Sequence, residues 1–322
     1  MNDQKRIVMG VDVGGTKVAA GLVGAGGVIG QQTRVAMNAR GTAEEGFAAV
    51  VNGIDLLLKE SGKSGKDLNG IGICAPGPLD PKTGVVINPP NVTCWKNFPL
   101  AERVAEKYGV AVKIDNDANA AALAEVLWGA GRGYQNVFYA CIGTGIGTGI
   151  ILDGKIYHGR TGAAAEGGHV SIDYHGPVCG CGKRGCIEVL ASGTAIGKRA
   201  RAKVASDPAR AKTLLELAGG KAESITSEMV GKAYVAGDGL AAEILRETAE
   251  LISVWLGNTV DLIEPDVMII GGGVAAMLQP FFGEMKERVA AWCINSRSRE
   301  IPLVPAFYGA DSGIAGGAAL CR

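Results

Sequence analysis

Apolar runs separated by glycine turns open the chain. RIVMGVD, KVAAGLV and VIGQQTRVA follow one another, with GGT and GAGG between them. Short apolar runs bounded by glycine are typical of strands joined in hairpins. The pattern therefore predicts three consecutive strands with tight glycine turns at the start of the chain.

Helical and strand patterns alternate over the rest of the chain. Helical spacing or composition occurs in residues 47–60, 119–131 and 194–262, and again in the closing SGIAGGAAL. Strand-like runs are GIGICAPGPLD, VAVKIDND, NVFYACIGTGIGTGIILDGK and VMIIGGGV. This alternation predicts an α/β protein.

One motif occurs twice. VDVGGTKVAAGLV and ACIGTGIGTGIIL each place a Gly/Thr turn between two apolar strands, in opposite halves of the chain. Chance in a glycine-rich chain and an internal duplication both explain such a short echo. A duplication would give two related lobes, with their glycine turns on either side of a cleft.

Composition and charge narrow the possible functions. The 322 residues suffice for two lobes with separate cores. Lys+Arg and Asp+Glu balance at 32 each, which argues against a nucleic-acid partner. We find no signal peptide and no apolar stretch of about 18 residues, so we expect a cytoplasmic protein without a membrane partner. Clustered cysteines in that compartment are first interpreted as metal ligands.

Gly/Thr turns between strands are candidates for binding phosphate, because they expose backbone N–H groups without an obstructing Cβ. The candidates are Gly14, Gly15, Thr16 and Lys17, then Gly143, Thr144 and Gly145, and finally Gly271, Gly272 and Gly273. Each alone is also an ordinary β-turn, but together they favour a nucleotide. Asp12 at a strand end is a candidate for holding hydrated Mg²⁺. The spacings of P-loop and dinucleotide-binding motifs do not occur.

Asp117 lies where a strand ends and a helix begins, in IDNDANAAALAE. Asp and Asn are preferred helix N-caps, so capping is one interpretation. The other is a general base, because the four polar residues between 115 and 119 exceed what one cap needs. Such a base would take the proton of a substrate hydroxyl as its oxygen attacks phosphorus.

The cysteine cluster at 179–186 predicts a metal site. Cys179, Cys181 and Cys186 complete a tetrahedral zinc site with one histidine, and both His169 and His175 are candidates. Four protein ligands leave no open coordination position, so this zinc would be structural. Free thiols and an iron–sulfur cluster are the less favoured alternatives.

Together these motifs resemble the ROK family (repressors, open reading frames and kinases), and within it the bacterial glucokinases. DVGGTKV (12–18) is similar to the family's first phosphate motif and IGTGIGTG (142–149) to its second. The most specific part is E-x-G-H, here Glu166 to His169, followed by CGCGKRGCIE (179–188). The resemblance covers essentially the whole chain.

This resemblance implies an actin-like ATPase (ribonuclease H-like) fold, with two α/β lobes around a central cleft that holds sugar and ATP. It implies Asp117 as the base and zinc held by His169, Cys179, Cys181 and Cys186, with His175 a bystander. The sugar contacts that it implies are Gly77, Asn91, Asn116, Asp117, Glu166, His169 and Glu188. GGGV, residues Gly271, Gly272, Gly273 and Val274, resembles the adenosine-side loop.

We place a small lobe at 1–117, onto which a C-terminal helix at about 306–322 packs back, and a large lobe at 118–305.

Two positions depart slightly from the pattern of the family. Thr148 stands where many relatives have glycine, and glycine or alanine would both fit at Ala165. Neither changes the expected class.

Three functions compete. The first is ATP-dependent phosphorylation of a hexose at its 6-hydroxyl, glucose above N-acetylglucosamine, N-acetylmannosamine, fructose or allose, by a homodimer or dimer of dimers. The second is a sugar-responsive DNA-binding repressor, against which we count the eleven residues before Asp12, too few for a helix-turn-helix region. The third is a sugar-binding protein without catalysis, against which Asp12, Asp117 and both phosphate turns argue.

Overall fold

The computed structural model describes residues 7–322, so Arg6, where the first predicted strand begins, lies outside them. The strands are β1 Val8–Val13, β2 Lys17–Val23, β3 Ile29–Ala36, β4 Ile71–Ala75, β5 Leu79–Asp80, β6 Val85–Val86, β7 Val112–Asn116, β8 Val137–Ile142, β9 Ile146–Leu152, β10 Lys155–Ile156, β11 Val267–Gly271 and β12 Leu303–Pro305. The helices are α1 Ala43–Ser61, α2 Leu100–Tyr108, α3 Asp117–Trp128, α4 Ile187–Ala191, α5 Gly193–Ser206, α6 Lys212–Leu217, α7 Ser227–Val235, α8 Gly239–Ile263, α9 Gly273–Leu278, α10 Phe282–Val289 and α11 Ser312–Leu320. The predicted strands and helices are therefore present.

The chain divides into two compact units. Within the described residues, the first contains 7–135, 149–165 and 307–322, and the second contains 136–148 and 166–306. The domain limits drawn from the sequence, with a boundary after Asp117, stay a prediction.

The first unit is built on a five-stranded sheet in the order β3-β2-β1-β4-β7. β1, β2 and β3 pair antiparallel, and β4 and β7 continue the sheet parallel to β1. Met9 and Val11 of β1 pack into one core with Ile54 of α1, whereas Val8 packs with Ile314 of α11 on the other face. The sheet thus has a helical layer on each face, as the alternating pattern of an α/β protein requires.

Close approach explains the small residues of the closing helix. A Cβ on Gly10 of β1 would collide with the carbonyl of Ile314, and one on Gly72 of β4 with that of Gly317. The backbone of α11 therefore lies directly on the sheet, and it also packs along α3. Glycine is required at both strand positions because any side chain would push the helix away.

The second sheet has the order β10-β9-β8-β11-β12. β8, β11, β12 and the first residues of β9, up to Thr148, belong to the second unit, whereas the rest of β9 and β10 belong to the first. β8 and β9 are joined by a tight turn, and β11 and β12 run parallel to β8. This order repeats that of the first sheet, so the echo between the two halves extends from a short motif to a whole strand plan. Phe138 of β8 packs edge-on against Trp255 of α8, with ring centroids 5.3 Å apart. Among residues 7–322, no helix combines the length and apolarity needed to cross a membrane.

Candidate active site

In the first unit, the carboxyl ends of three parallel strands lie side by side. Asp12 of β1 is aligned with Cys74 of β4, and Cys74 with Asp115 of β7. Asp117 follows immediately as the first residue of α3. This edge of an α/β sheet is where such folds usually bind ligands.

The negative charge of Asp117 acts on the carboxyl group of Asp12. Burial raises the pKa of Asp12 to about 6, and the negative charge of Asp117 adds to the increase, against the opposing charges of Lys17 and Arg34. Two carboxylates in a partly desolvated corner favour a bound cation or a shared proton. The arrangement suits a site that binds a metal ion together with a phosphate group.

The N-cap of α3 is Asn116 and not Asp117. The Asn116 side-chain oxygen accepts hydrogen bonds from the backbone N–H groups of Ala118 at 2.9 Å and Asn119 at 3.4 Å. Asp117 is the first helical residue, and its Oδ1 also accepts from the Ala118 N–H. Capping therefore does not explain why residue 117 is acidic. Gly77, a predicted sugar contact, lies beside Asn116, because a Cβ on it would be 3.6 Å from the Asn116 amide nitrogen.

The first predicted phosphate turn joins β1 to β2. It is closed by a hydrogen bond of 2.9 Å from the Gly14 N–H to the Lys17 carbonyl, and both Thr16 and Lys17 are exposed. The carbonyl of Asn91 lies 3.0 Å from the position of a Cβ on Gly15. The structure thus places the predicted sugar contact Asn91 against this turn.

The second predicted phosphate turn, between β8 and β9, is held from below by α4 and α5. A carboxylate oxygen of Glu188 accepts from the Ile146 N–H at 2.9 Å, and Gly145 packs against that carboxylate. The Gly193 N–H donates to the Gly143 carbonyl at 2.7 Å. The hydroxyl of Thr194 donates to the Thr144 carbonyl at 2.8 Å. These bonds occupy the carbonyl groups of Gly143 and Thr144 and hold the turn in one conformation.

A cavity of about 710 Å³ opens beside this turn, entirely within the second unit. Its lining includes Gly143 and Thr144 of the turn, together with Gly273 and Val274 at the start of α9. Gly271 and Gly272 come just before these residues, and Gly272 adopts φ 90° against the Ile142 carbonyl. The remaining lining residues are Ser227, Glu228, Gly231, Lys232, Tyr234, Val235, Ala276, Met277 and Pro280.

The sequence did not predict most of the residues that line this cavity. Its residues on α7 belong to a helical stretch with weak periodicity and no recognised motif. Gly231 is the one local signal, since a Cβ on this helical glycine would collide with the sulfur of Met277. Only the packing of α7 against α9 brings these side chains to the cavity.

The cysteine cluster brings four candidate metal ligands together. One ligand atom each from His169, Cys179, Cys181 and Cys186 lies within 4.8 Å of the others. The sulfur of Cys179 is 3.6 Å from His169 Nδ1, and the sulfurs of Cys181 and Cys186 are also 3.6 Å apart. Zinc bonded at about 2.0 Å to nitrogen and 2.3 Å to sulfur would give ligand spacings of roughly 3.5–3.8 Å. The donor set and its spacing therefore fit zinc.

His169, and not His175, belongs to this cluster. The His175 ring instead packs against Tyr174, with centroids 3.9 Å apart and the ring planes tilted by 40°. Because His169 faces Cys179 through Nδ1, its Nε2 remains available for a different partner. Metal-bound histidines typically donate their other ring N–H to a neighbouring acceptor.

The turn that carries Glu166 and His169 rests on strand β9. The Gly167 N–H donates to the Thr148 hydroxyl at 2.9 Å, and the buried Gly168 packs on the Ile146 carbonyl. Thr148 itself is buried. The threonine that departs from the family pattern is therefore a hydrogen-bond acceptor for the E-x-G-H turn. Ala165 adopts φ 64°, a conformation that favours glycine over alanine, so the two residues do not fit equally there.

Comparison with known proteins places the whole chain among sugar kinases and regulators. The sequence model of the ROK family matches residues 8–322. Glucokinase from Streptomyces coelicolor is 33% identical over 317 residues, which cover 98% of each chain. A xylose repressor from Caldicellulosiruptor bescii is 32% identical over 245 residues, or 76% of this chain and 59% of the repressor.

A solved structure with a similar sequence identity has the same fold. It is a ROK family glucokinase from Streptomyces griseus in complex with glucose and AMPPNP, 34% identical, with a TM-score of 0.84 and 98% of each chain covered. The expected actin-like ATPase fold is thereby confirmed.

Proposed function

Because the chain belongs to the ROK family, we propose that it transfers the γ-phosphoryl group of ATP to the 6-hydroxyl of a hexose, glucose above other sugars. The chain is a hexokinase-type phosphotransferase with an alcohol acceptor. The observation that carries the proposal is the corner of Asp12, Asn116 and Asp117 at the strand ends of the first unit. The glucose and AMPPNP held by the related Streptomyces griseus enzyme support the choice of substrates.

Asp117 is the proposed general base. Its carboxylate takes the proton from the sugar 6-hydroxyl as that oxygen attacks the γ-phosphorus, and the bond to the bridging oxygen of ADP breaks. General-base assistance of this kind contributes about 10²–10⁴-fold to the rate. Asp117 is the first residue of α3, so the helix holds its carboxylate in place, and Asn116 caps the start of that helix.

Sugar contacts are proposed on each unit. In the first, Gly77, Asn91 and Asn116 lie at or next to the strand-end corner and the first phosphate turn. In the second, Glu166, His169 and Glu188 are the hydroxyl acceptors. His169 Nε2 is suited to this because Nδ1 faces the cysteine cluster. Glu188 has one oxygen committed to Ile146, which leaves the other for a sugar hydroxyl.

The nucleotide is proposed to occupy the cavity of the second unit. Its volume of about 710 Å³ exceeds what a purine nucleoside needs, and the phosphate-binding backbone of Gly143 and Thr144 forms one end. Gly14, Gly15, Thr16 and Lys17 of the first unit are the other proposed phosphate contacts. Asp12 would hold Mg²⁺, which neutralises phosphate charge when bound.

His169, Cys179, Cys181 and Cys186 would hold zinc as a structural ion. Bound there, zinc supplies ordering energy to a glycine-rich loop, on the order of 10 kcal/mol. The loop also has hydrogen bonds of its own. They include bonds from the Ile187 N–H to the Val170 carbonyl and from the Ile172 N–H to the Gly185 carbonyl, both at 2.9 Å. The cluster thus sets the orientation of the neighbouring Glu188.

The test is ADP release from Mg-ATP over a panel of glucose, mannose, fructose, allose, N-acetylglucosamine and N-acetylmannosamine. We expect glucose to give the highest kcat/KM. A higher value for an N-acetylated sugar would overturn the glucose assignment and leave the kinase assignment. Binding of glucose without turnover of any sugar would favour a sugar-responsive regulator, as the similarity to a xylose repressor allows. Light scattering would test the proposed homodimer.

A further inference from the structure

The histidine that lies outside the cysteine loop pairs with a buried aspartate. His158, in the segment after β10, places Nε2 at 2.6 Å from a carboxylate oxygen of Asp115. The Asp115 side chain is 4% exposed and that of His158 33%. A carboxylate this deeply buried is costly unless it is paired. Asp115 is therefore bonded to a ring nitrogen that lies 43 positions later in the chain.

Asp115 in turn holds the residues that follow it. Its other carboxylate oxygen accepts from the Asn116 N–H at 2.8 Å and from the Asn119 side-chain amide at 3.2 Å. Asn116 caps α3, the helix that begins with Asp117. One aspartate therefore links His158 to both the cap and the first turn of this helix.

The segment bearing His158 is anchored independently. The Tyr157 N–H donates to the Ile150 carbonyl at 2.8 Å, and the Ala164 N–H donates to the His158 carbonyl at 3.2 Å. Gly159 has φ 66° and packs against Ala164, which closes the segment into a compact loop. The imidazole thus projects from a backbone of defined shape and can fix the carboxylate that it contacts.

Charge favours the pairing. The hydrogen bond with Asp115 raises the pKa of His158, against burial and the positive charge of Lys82. The carboxylate thus favours the protonated form of the imidazole, and the hydrogen bond itself holds the two side chains together in a site of reduced solvent access.

We infer that His158 is a positioning residue, which acts through Asp115 to hold Asn116 and Asp117 in the geometry of catalysis. The inference rests on the proposed function, since it assumes Asp117 as the base. It goes beyond that function by assigning a purpose to a histidine outside both the zinc cluster and the sugar contacts. A displaced base lowers kcat, whereas the nucleotide cavity of the second unit has no part in this chain of bonds.

The experiment compares His158→Ala, His158→Gln and Asp115→Asn with the wild type, under saturating glucose and ATP. His158→Ala should lower kcat about 10-fold and leave the KM for ATP within about 2-fold. His158→Gln keeps an N–H donor and should recover at least about half of the lost log kcat. His175→Ala, which removes an exposed histidine outside this network, serves as the matched control and should behave as the wild type.

A double-mutant cycle guards against a merely structural effect. His158→Ala combined with Asp115→Asn should lose less log kcat than the sum of the two single variants, because one removes the bond and the other removes the charge that strengthens it. Additive losses, or wild-type kcat in a folded His158→Ala, would overturn the inference. Equal changes in kcat and in the KM for ATP would also overturn it. If the wild type phosphorylates no sugar, the proposed function itself fails and the inference with it.

Discussion

The carboxylate of Glu188 accepts a hydrogen bond from the Ile146 N–H at 2.9 Å and so joins the cysteine loop to the second phosphate turn. Glu188 lies two residues after Cys186, and Ile146 directly follows Gly145. The cysteine loop and the second Gly/Thr turn therefore share one side chain. Disturbing either should be felt by the other.

Two substitutions at Glu188 separate its two contacts. Glu188→Gln keeps an oxygen for Ile146 but loses the charge, so we expect the KM for sugar to rise about 10-fold and that for ATP to stay near wild type. Glu188→Ala also releases the turn and should raise both KM values. Steady-state kinetics with each substrate varied checks this, with the exposed Glu287→Ala as control. Identical ATP behaviour in both variants would show that the bond to Ile146 does not matter.

Thr148 should matter through its hydroxyl alone. Thr148→Val keeps the shape but leaves the Gly167 N–H without its acceptor, at a cost of about 1 kcal/mol. Because that turn carries Glu166 and His169, we expect the KM for glucose to rise about 3–10-fold in Thr148→Val and little in Thr148→Ser. Glucose titration by calorimetry provides a readout independent of turnover. Equal affinities for the two variants would contradict this account.

Asp117→Asn should abolish proton transfer without disturbing the helix start. The amide oxygen can still accept from Ala118, as the carboxylate does. We expect kcat to fall about 10²–10⁴-fold, with glucose affinity within about 3-fold of wild type. Single-turnover kinetics and glucose binding measure the two quantities. Asp55→Asn, an exposed carboxylate bonded to Tyr108, is the control, and full activity of Asp117→Asn would rule out the base.

Loss of one cysteine should release the proposed zinc. Cys181→Ser removes one of four ligand atoms, so we expect zinc content to fall from about one equivalent to well below it, with a lower Tm. Cys293→Ser, a cysteine outside the cluster, should retain the metal. Metal analysis of purified protein decides the matter. Normal zinc content in Cys181→Ser would mean that the ligand set is wrong.

Asp12 predicts a pH dependence of stability. Its pKa is raised in the fold to about 6 from the ordinary 3.8, so the folded state binds more protons than the unfolded state between these values. Wild-type stability should therefore fall, relative to Asp12→Asn, as pH rises through 6, and level off above it. We expect a relative loss of about 1 kcal/mol between pH 5 and 7.5. Urea unfolding in Mg²⁺-free buffer measures it, and a pH-independent difference between the two proteins would contradict the shift.

Local patterns predicted much of the architecture. The three opening strands, the long helical region and the closing small-residue helix all follow from periodicity and glycine punctuation, because these depend on near neighbours in the chain. The cysteine spacing predicted a metal cluster for a similar reason, since C-x-C and a nearby third cysteine bring ligands together within one loop. Neither the cap at Asn116 nor the left-handed backbone of Ala165 was evident, because each depends on exact backbone dihedrals.

The sequence by itself determined the fold class, the glycine turns between strands and the set of cysteines, because each is encoded by residues a few positions apart. Spacing alone left His169 and His175 as equal candidates, and the tertiary structure brought His169 into the cluster. Only the tertiary structure brought α7 to the cavity beside the second Gly/Thr turn, Thr148 to Gly167 and His158 to Asp115. The partners are 19 residues apart in the pair of Thr148 and Gly167, and 43 residues apart in the pair of Asp115 and His158. Such contacts arise from how strands and helices pack, which no short motif specifies.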